Sequence, residues 1–452
     1  MAYNFIRCDR DQMYLMPPSL RDWVPEDDLS WFMLDAVGQM DLSAFYNKYR
    51  YDGTGNSAYD PAMMVSLLLY AYSMGERSSR GIERLCRRDI GFRVVAGNLS
   101  PDHATIARFR RNNESELEAL FVDVLRLLAA AGLVKVGVVA LDGTKMKGNA
   151  SLSSNRGHEW LTREVRKMLS EAESMDAEED KLYGDKRGDE APDDLRDRSS
   201  RLSRLKECKD RLDREAFEHA VDEAHKLAVR AAGEAAQRGV KRGRKPKADE
   251  AERERKANVT DPDSRIMKAR SGYVQGYNAQ AVTTVDQVIV AAEVTQDAND
   301  VKQLSPMIDS CVENLCGIGI EDVPGVLVCD AGYWSEGNVR EVGDDGPELL
   351  ISTKNDWKAR KENRDIPPPR GRIPKDMSLR DRMSRKLRTK RGRELYKKRG
   401  WMIESPFGQI KDGRSCDRFM RRGLFAVESE WKLICATHNL LKLYRSGKAK
   451  WN

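Results

Sequence analysis

Three carboxylates stand where a carboxylate is costly. Asp142 follows the apolar run VKVGVVAL, Asp330 follows GVLVC, and Glu404 stands at the head of the amphipathic stretch IESPFGQIK. Acidic side chains are seldom placed beside buried strands unless something offsets their charge. In a chain rich in Lys and Arg, three such acids suggest a divalent cation held beside a polyanion, and so phosphodiester chemistry on nucleic acid. Each Asp taken singly can cap a helix or open a turn; the ordered triple carries the signal. Two Mg²⁺ ions about 4 Å apart activate an attacking oxygen and stabilise a leaving one during displacement at phosphorus. Such hard cations take oxygen ligands. Asp142 and Asp330, at the ends of neighbouring strands, would share one metal; Glu404, on a helix crossing the sheet, would complete the second, with Mn²⁺ substituting for Mg²⁺.

Around Glu404, Tyr396, Arg399, Glu404 and Lys411 lie along one helical stretch. Glu404 and Lys411 are seven apart and share a face after two turns, so a metal-binding acid and a phosphate-binding Lys would point the same way. A surface ion-pair ladder is the plainer alternative. Pro406 requires the helix to begin near Glu404-Ser405 or to kink. Trp334, four residues after Asp330, either stacks on an unpaired base or packs in the core. Arg242-Gly243-Arg244-Lys245-Pro246 has the form of an AT-hook, with arginines for a narrow minor groove, or is a basic linker. His438, in an apolar helix, reads as a satisfied core histidine. His103 marks a helix start and needs no catalytic duty.

The elements that must position these residues follow from composition and pattern. A chain of 452 residues, 33% charged and 40% apolar with net charge +6, holds two or three domains and at least one strongly solvated segment. The charge is concentrated: residues 371–400 carry thirteen Lys and Arg against three Asp and Glu, an electrostatic footprint for phosphates. Eight scattered cysteines lack zinc-ligand spacing and imply a reducing compartment; several, Cys329 and Cys435 among them, sit in apolar runs and read as small core hydrophobes. The N-terminus lacks a signal-peptide core and the run VSLLLYAY is too short to span a bilayer, so a cytoplasmic, nucleoid-associated protein without membrane contact is expected.

Residues 1–125 read as a helical N-terminal DNA-binding domain. Ser19 to Gly38 has helical spacing, Asp60-Pro61 opens a second helix, and Ser78 caps a third, with Arg77, Arg80, Arg84, Arg87 and Arg88 around its start. A further helix from Thr105 allows a helix-turn-helix-like module or a plain helical bundle. The run 134–141 is the first strand, and 134–150 the first part of the core. Residues 151–262 form a charged insertion, a helical hairpin of 159–177 and 195–238. Its seam runs through Leu195, Leu202, Leu205 and Leu212 and continues through Phe217, Val221 and Leu227. The remainder of the core, 263–445, alternates strands at 272–281, 287–295, 325–329 and 348–352 with helices, and contains a basic, extended loop at 354–395. The expected class is α/β: a ribonuclease-H-like mixed sheet, a helical N-terminal domain and a helical insertion after the first core strand.

The blocks ALDGTKMKGNAS, VLVCDAGYWSEGN and WMIESPFGQIKDGRSCDRFMRRGL resemble the catalytic core of bacterial insertion-sequence DDE transposases. The segment from YDPAMMVSLLLYAY to DHATIARFRR resembles their amino-terminal domain. The resemblance implies metal-dependent strand cleavage and strand transfer at terminal inverted repeats, and a homodimer on double-stranded DNA that pairs two element ends with target DNA. It implies Asp142, Asp330 and Glu404 as catalytic and metal-binding residues. The family's Tyr-Arg-Glu-Lys signature usually puts three residues between Arg and Glu; here four separate Arg399 from Glu404, and Gly400 stands at the usual Arg place. Many relatives carry their insertion after the last core strand rather than the first. Two rivals stay open on sequence: a metal-dependent nuclease of the same fold, and a non-catalytic DNA-binding regulator derived from a transposase.

Overall fold

In the computed structural model the described residues are 19–49, 58–183, 193–236, 255–269, 272–343, 346–353, 367–374 and 376–449. The N-terminal helices are α1 (Leu29–Gly38), α2 (Ser43–Tyr46), α3 (Pro61–Ser73), α4 (Ser79–Arg88), α5 (Ile90–Val95), α6 (His103–Asn112) and α7 (Glu114–Ala130). Their starts are capped as the sequence anticipates. Asp60 accepts from the Ala62 amide at 2.9 Å with Pro61 at the first helical position, and Ser78 accepts from Gly81 at the head of α4. Apolar α3, buried almost throughout, forms the centre of this layer.

The core follows in the order β1 (Val138–Lys147), β2 (Asn155–Gly157), α8 (His158–Tyr183), α9 (Asp193–Ala236), β3 (Lys256–Asn258), β4 (Arg265–Ala269), β5 (Gly272–Thr284), β6 (Ile289–Thr295), α10 (Leu304–Gly317), β7 (Val326–Cys329), α11 (Glu336–Val342), β8 (Glu348–Ile351), α12 (Leu379–Arg388), α13 (Lys390–Arg399, prolonged to 413) and α14 (Leu424–Ser446). The sheet runs β4-β5-β1-β7-β8, with β6 also on β5. β5 pairs antiparallel with β1, β4 and β6, while β1, β7 and β8 are parallel. This is the mixed sheet expected of a ribonuclease-H-like core, with helices packed against it.

Several expectations are corrected. The first strand runs from Val138 to Lys147, not over 134–141, so Asp142 lies within it. The polar half, DGTKMK, stays extended because β5 pairs with it as far as Lys147–Gly276. Gly276 permits this approach, since a Cβ there would collide with the Met146 carbonyl. The 354–395 stretch is not one extended loop: α12 and the start of α13 occupy its second half, capped by Ser378 and Thr389. Residues 354–366 lie outside the described residues.

The insertion is an antiparallel helical pair rising from the β2–β3 ribbon. His158 meets Asp213 at 2.7 Å and Glu164 meets Arg201 at 3.1 Å. Leu161, Val165, Leu205, Cys208 and Leu212 form its own small core, and Leu202 packs at its edge. The seam ends there: Phe217 is 71% exposed and Val221 52%. The side chains of Leu195 and Leu227 lie outside those described.

The helical layer is tied to the core by arginines buried against backbone carbonyls. Arg77 donates to the carbonyls of Ser415, at 3.1 Å, and Arg418, and meets Glu430 at 3.3 Å. Arg110 donates to the Arg77 carbonyl at 2.7 Å. Arg414 donates to Thr437 Oγ1 at 2.6 Å and the Ile434 carbonyl at 3.1 Å. Such donors join the start of α4 to the loop after α13, and that loop to α14, through backbone carbonyls.

Candidate active site

β1 and β7 pair in parallel up to Leu141 opposite Cys329, so the next residue on each strand is an aspartate. There the strands part. β1 continues against β5, with Asp142 opposite Ala281 and Asp142 Oδ1 accepting from the Gly143 amide at 2.8 Å. β7 ends, and Asp330 caps the short turn Ala331–Tyr333, its Oδ1 accepting from the Gly332 amide at 2.8 Å. Arg399 spans the pair, its Nη2 lying 3.3 Å from Asp142 Oδ2 and 3.9 Å from Asp330 Oδ2. Burial pushes the Asp142 carboxyl up to about 7; the Arg399 guanidinium opposes this, while the charges of Asp330 and Asp300 add to it.

Arg399, Glu404 and Lys411 all come from α13, whose course explains the unusual spacing. After Arg399 the helix passes through a π turn, Gly400–Glu404, then one α turn, Ser405–Gly408, and a second π turn, Gln409–Gly413. A π turn bonds i to i+5 instead of i+4, so one extra residue is absorbed without rotating the turns on either side. Arg399 therefore stays buried over the aspartates although four residues separate it from Glu404. Pro406 brings no N–H to the Met402 carbonyl, which accepts instead from Thr283 Oγ1 at 3.0 Å. Gln287 Nε2 likewise donates to the Trp401 carbonyl at 2.9 Å. The proline is thus held inside the helix by side chains from the end of β5 and the turn beyond it.

The other sequence-selected residues are distributed as follows. Glu404 is exposed, with its carboxyl about 3.9 Å from where a Cβ on Gly400 would lie. Among the described residues no group of three or more His, Cys, Asp and Glu side chains is arranged to hold a metal ion. Arg399 joins Asp142 to Asp330; Glu404 is not drawn into that pair. Lys411 donates to Thr144 Oγ1 and, at 3.1 Å, to the Lys145 carbonyl, and burial lowers its pKa. Thr144 is two residues beyond Asp142, so Lys411 lies over the strand face that carries the aspartate. Tyr396 and Trp334 are partly buried against the core. His438 is buried between Gln409 and the Gln287 carbonyl, and burial holds it well down, at about 3. His103 begins α6 and meets Glu83 at 2.8 Å. Arg242 and Arg244 lie outside the described residues.

The sequence reading missed Asp300 and the amides that hold it. Asn278 and Gln280 are fully buried on β5, opposite Lys145 and Gly143. Asp300 Oδ1 accepts from Asn278 Nδ2 at 2.7 Å and Gln280 Nε2 at 2.9 Å, with Lys145 Nζ at 3.4 Å. The available signal was two amides inside an otherwise apolar strand, GYNAQAV, an arrangement that buried polar groups need partners to sustain.

The donor chemistry suits a divalent cation. The acids offer only oxygen, and a desolvated carboxylate beside a second one is stabilised by positive charge, which Arg399 already places there. Outward from this site, α4 and α6 expose Arg80, Arg84, Arg87, Arg88, Arg108 and Arg111, and α12 and α13 expose Arg382, Lys390, Arg391 and Lys397. Among the described residues no helix is long and apolar enough to cross a membrane.

Two family models match the chain. One, described as a transposase domain (DUF772), covers residues 18–112, and a second, described as a transposase DDE domain, covers 238–440. Asp330 and Glu404 fall in the second segment; Asp142 falls between the two, where the insertion divides the core. No curated protein and no solved structure matches the chain.

Proposed function

From the premise that this chain belongs to the insertion-sequence DDE transposases, we propose that it binds the terminal inverted repeats of its element, cleaves there and transfers the strand to target DNA. The observation carrying this reading is the aspartate pair at the parting of two parallel strands, bridged by a buried arginine. Asp142, Asp330 and Glu404 would hold divalent cations, Mg²⁺ or Mn²⁺ in its place. When bound, these supply activation of the attacking oxygen and stabilisation of the leaving one at phosphorus.

The protein's own groups do the rest. Lys411, over the face that carries Asp142, presents a positive charge to the scissile phosphate. Arg399 fixes the spacing of the two aspartates. The arginines of α4 and α6 and the basic residues of α12 and α13 neutralise flanking phosphates. We assign residues 1–125 to end binding, 134–150 with 263–445 to the catalytic core, and 151–262 to an accessory insertion. Pairing two ends calls for two copies of the chain on DNA.

The test is incubation with a labelled end duplex and Mg²⁺ or Mn²⁺, beside Asp330→Ala. Cleavage and joined product from wild type alone are expected. Cleavage without joining would leave a nuclease, and binding without cleavage under every metal would leave a DNA-binding regulator.

A further inference from the structure

The buried polar cluster behind the aspartates has no duty in the account above, yet it is built at a cost. Asn278 and Gln280 occupy fully buried positions on a central strand where apolar residues would pack with no desolvation cost. Their amides converge on a single oxygen, Asp300 Oδ1, which Lys145 also approaches. Gly143 accommodates them: a Cβ there would collide with Gln280 Nε2 and lie 2.7 Å from Asp300 Oδ1 and 2.9 Å from Asn278 Oδ1.

The second carboxylate oxygen lies beside the turn that Asp330 caps. A Cβ on Gly332 would lie 3.0 Å from Asp330 Oδ1 and 3.2 Å from Asp300 Oδ2, so the two acids converge on one side of that glycine. Tyr333, which closes the same turn, donates its hydroxyl to Gln280 Oε1. The turn that starts at Asp330 is therefore tied to β5 through Tyr333, and its Gly332 lies beside Asp300. Among the described residues Asn278 Oδ1, fully buried against Gly143, has no hydrogen-bond partner, a cost that a purely stabilising network does not carry.

We propose that Asp300 is a positioning residue for the aspartate pair: held by the β5 amides, it sets the Asp330 turn against β1 and adds a third negative charge that strengthens the pair's hold on a divalent cation. This rests on the reading of Asp142 and Asp330 as cation ligands. Lys145 partly offsets the added charge and so limits its effect.

The experiment measures Mn²⁺ binding to the full-length protein, from the electron paramagnetic resonance of the free ion, with melting temperatures taken without metal. Asp300→Asn keeps the shape and removes the charge; it is expected to bind Mn²⁺ about tenfold more weakly with its melting temperature unchanged. Lys145→Met, which unmasks Asp300, is expected to bind more tightly. Wild-type affinity in Asp300→Asn, whether or not the melting temperature falls, overturns the proposal, as does weaker binding by Lys145→Met. Equal Mn²⁺ affinity in wild type and Asp142→Ala instead fails the reading of the aspartate pair, and the role of Asp300 falls with it.

Discussion

Arg399 Nη2 lies 3.3 Å from Asp142 Oδ2, and the same nitrogen is 3.9 Å from Asp330 Oδ2. One guanidinium thus serves two acids whose own repulsion would otherwise push them apart. Arg399→Gln removes that charge and leaves two part-buried carboxylates without their shared counter-charge. It is expected to raise the Asp142 pKa further, readable as a shift in the carboxyl titration by NMR. Arg399→Lys, a shorter reach with a point charge, should restore only part of the effect.

Asp142 also gives the metal-free protein a pH dependence. Its carboxyl is raised in the fold to about 7, chiefly by burial, so the folded state binds more protons than the unfolded one at intermediate pH. Stability therefore falls as pH rises from the unfolded carboxylate range near about 4 through about 7, by up to about 4 kcal/mol. Thermal denaturation across this window should show the decline in wild type and not in Asp142→Asn. Added Mg²⁺ should flatten the wild-type decline.

Thr283→Val tests the support of the π turn. The substitution keeps shape and removes the donor to the buried Met402 carbonyl, costing about 1–3 kcal/mol. Urea denaturation reads the loss. An unchanged midpoint would show that the kinked helix does not depend on this bond.

Gly276→Ala is expected to abolish soluble, folded protein, because its Cβ would strike the Met146 backbone carbonyl across the β1–β5 ladder. Gly148→Ala is the matched control: the nearest atoms to its Cβ stand at 3.5 Å or beyond, ordinary contact distance. Expression and circular dichroism of the two variants separate the outcomes.

The exposed arginines of α4 and α6 make a prediction about salt. Replacing Arg84 or Arg108 by Ala should weaken duplex binding and lower the slope of log affinity against log salt by about one each. A loss of affinity with unchanged slope would place that residue away from the phosphates.

Much of this architecture was legible in the sequence, for definable reasons. Caps at Asp60 and Ser78 and the apolar runs before Asp142 and Asp330 are local signals, and the helices and strands follow them. The end of β1 was not, because DGTKMK is polar and remains a strand only through its pairing with β5. Helix α12 and the start of α13 were hidden by prolines and dense charge, whose repulsion is relieved by tertiary contacts such as Arg391 with Glu348 at 2.6 Å. Pro406 pointed to a kink or a helix start; the π turn was unreadable because it depends on donors from Thr283 and Gln287, more than a hundred residues away. Asp300 escaped notice for a similar reason. It lies in the turn after β6 while its partners stand on β5 and β1, and no spacing along the chain brings them together.

The buried arginine joint bears on where DNA would be cut under the proposed function. Arg77 immediately precedes Ser78, the cap of α4, and its side chain grips the loop that follows α13. The first arginine-bearing helix and the helix over the aspartates are therefore mounted on a common strut with no flexible linker between them. On the proposed function, a duplex held by α4 would meet Asp142 and Asp330 at a set offset, and the protein would measure its cut from the grip like a fixed-length gauge.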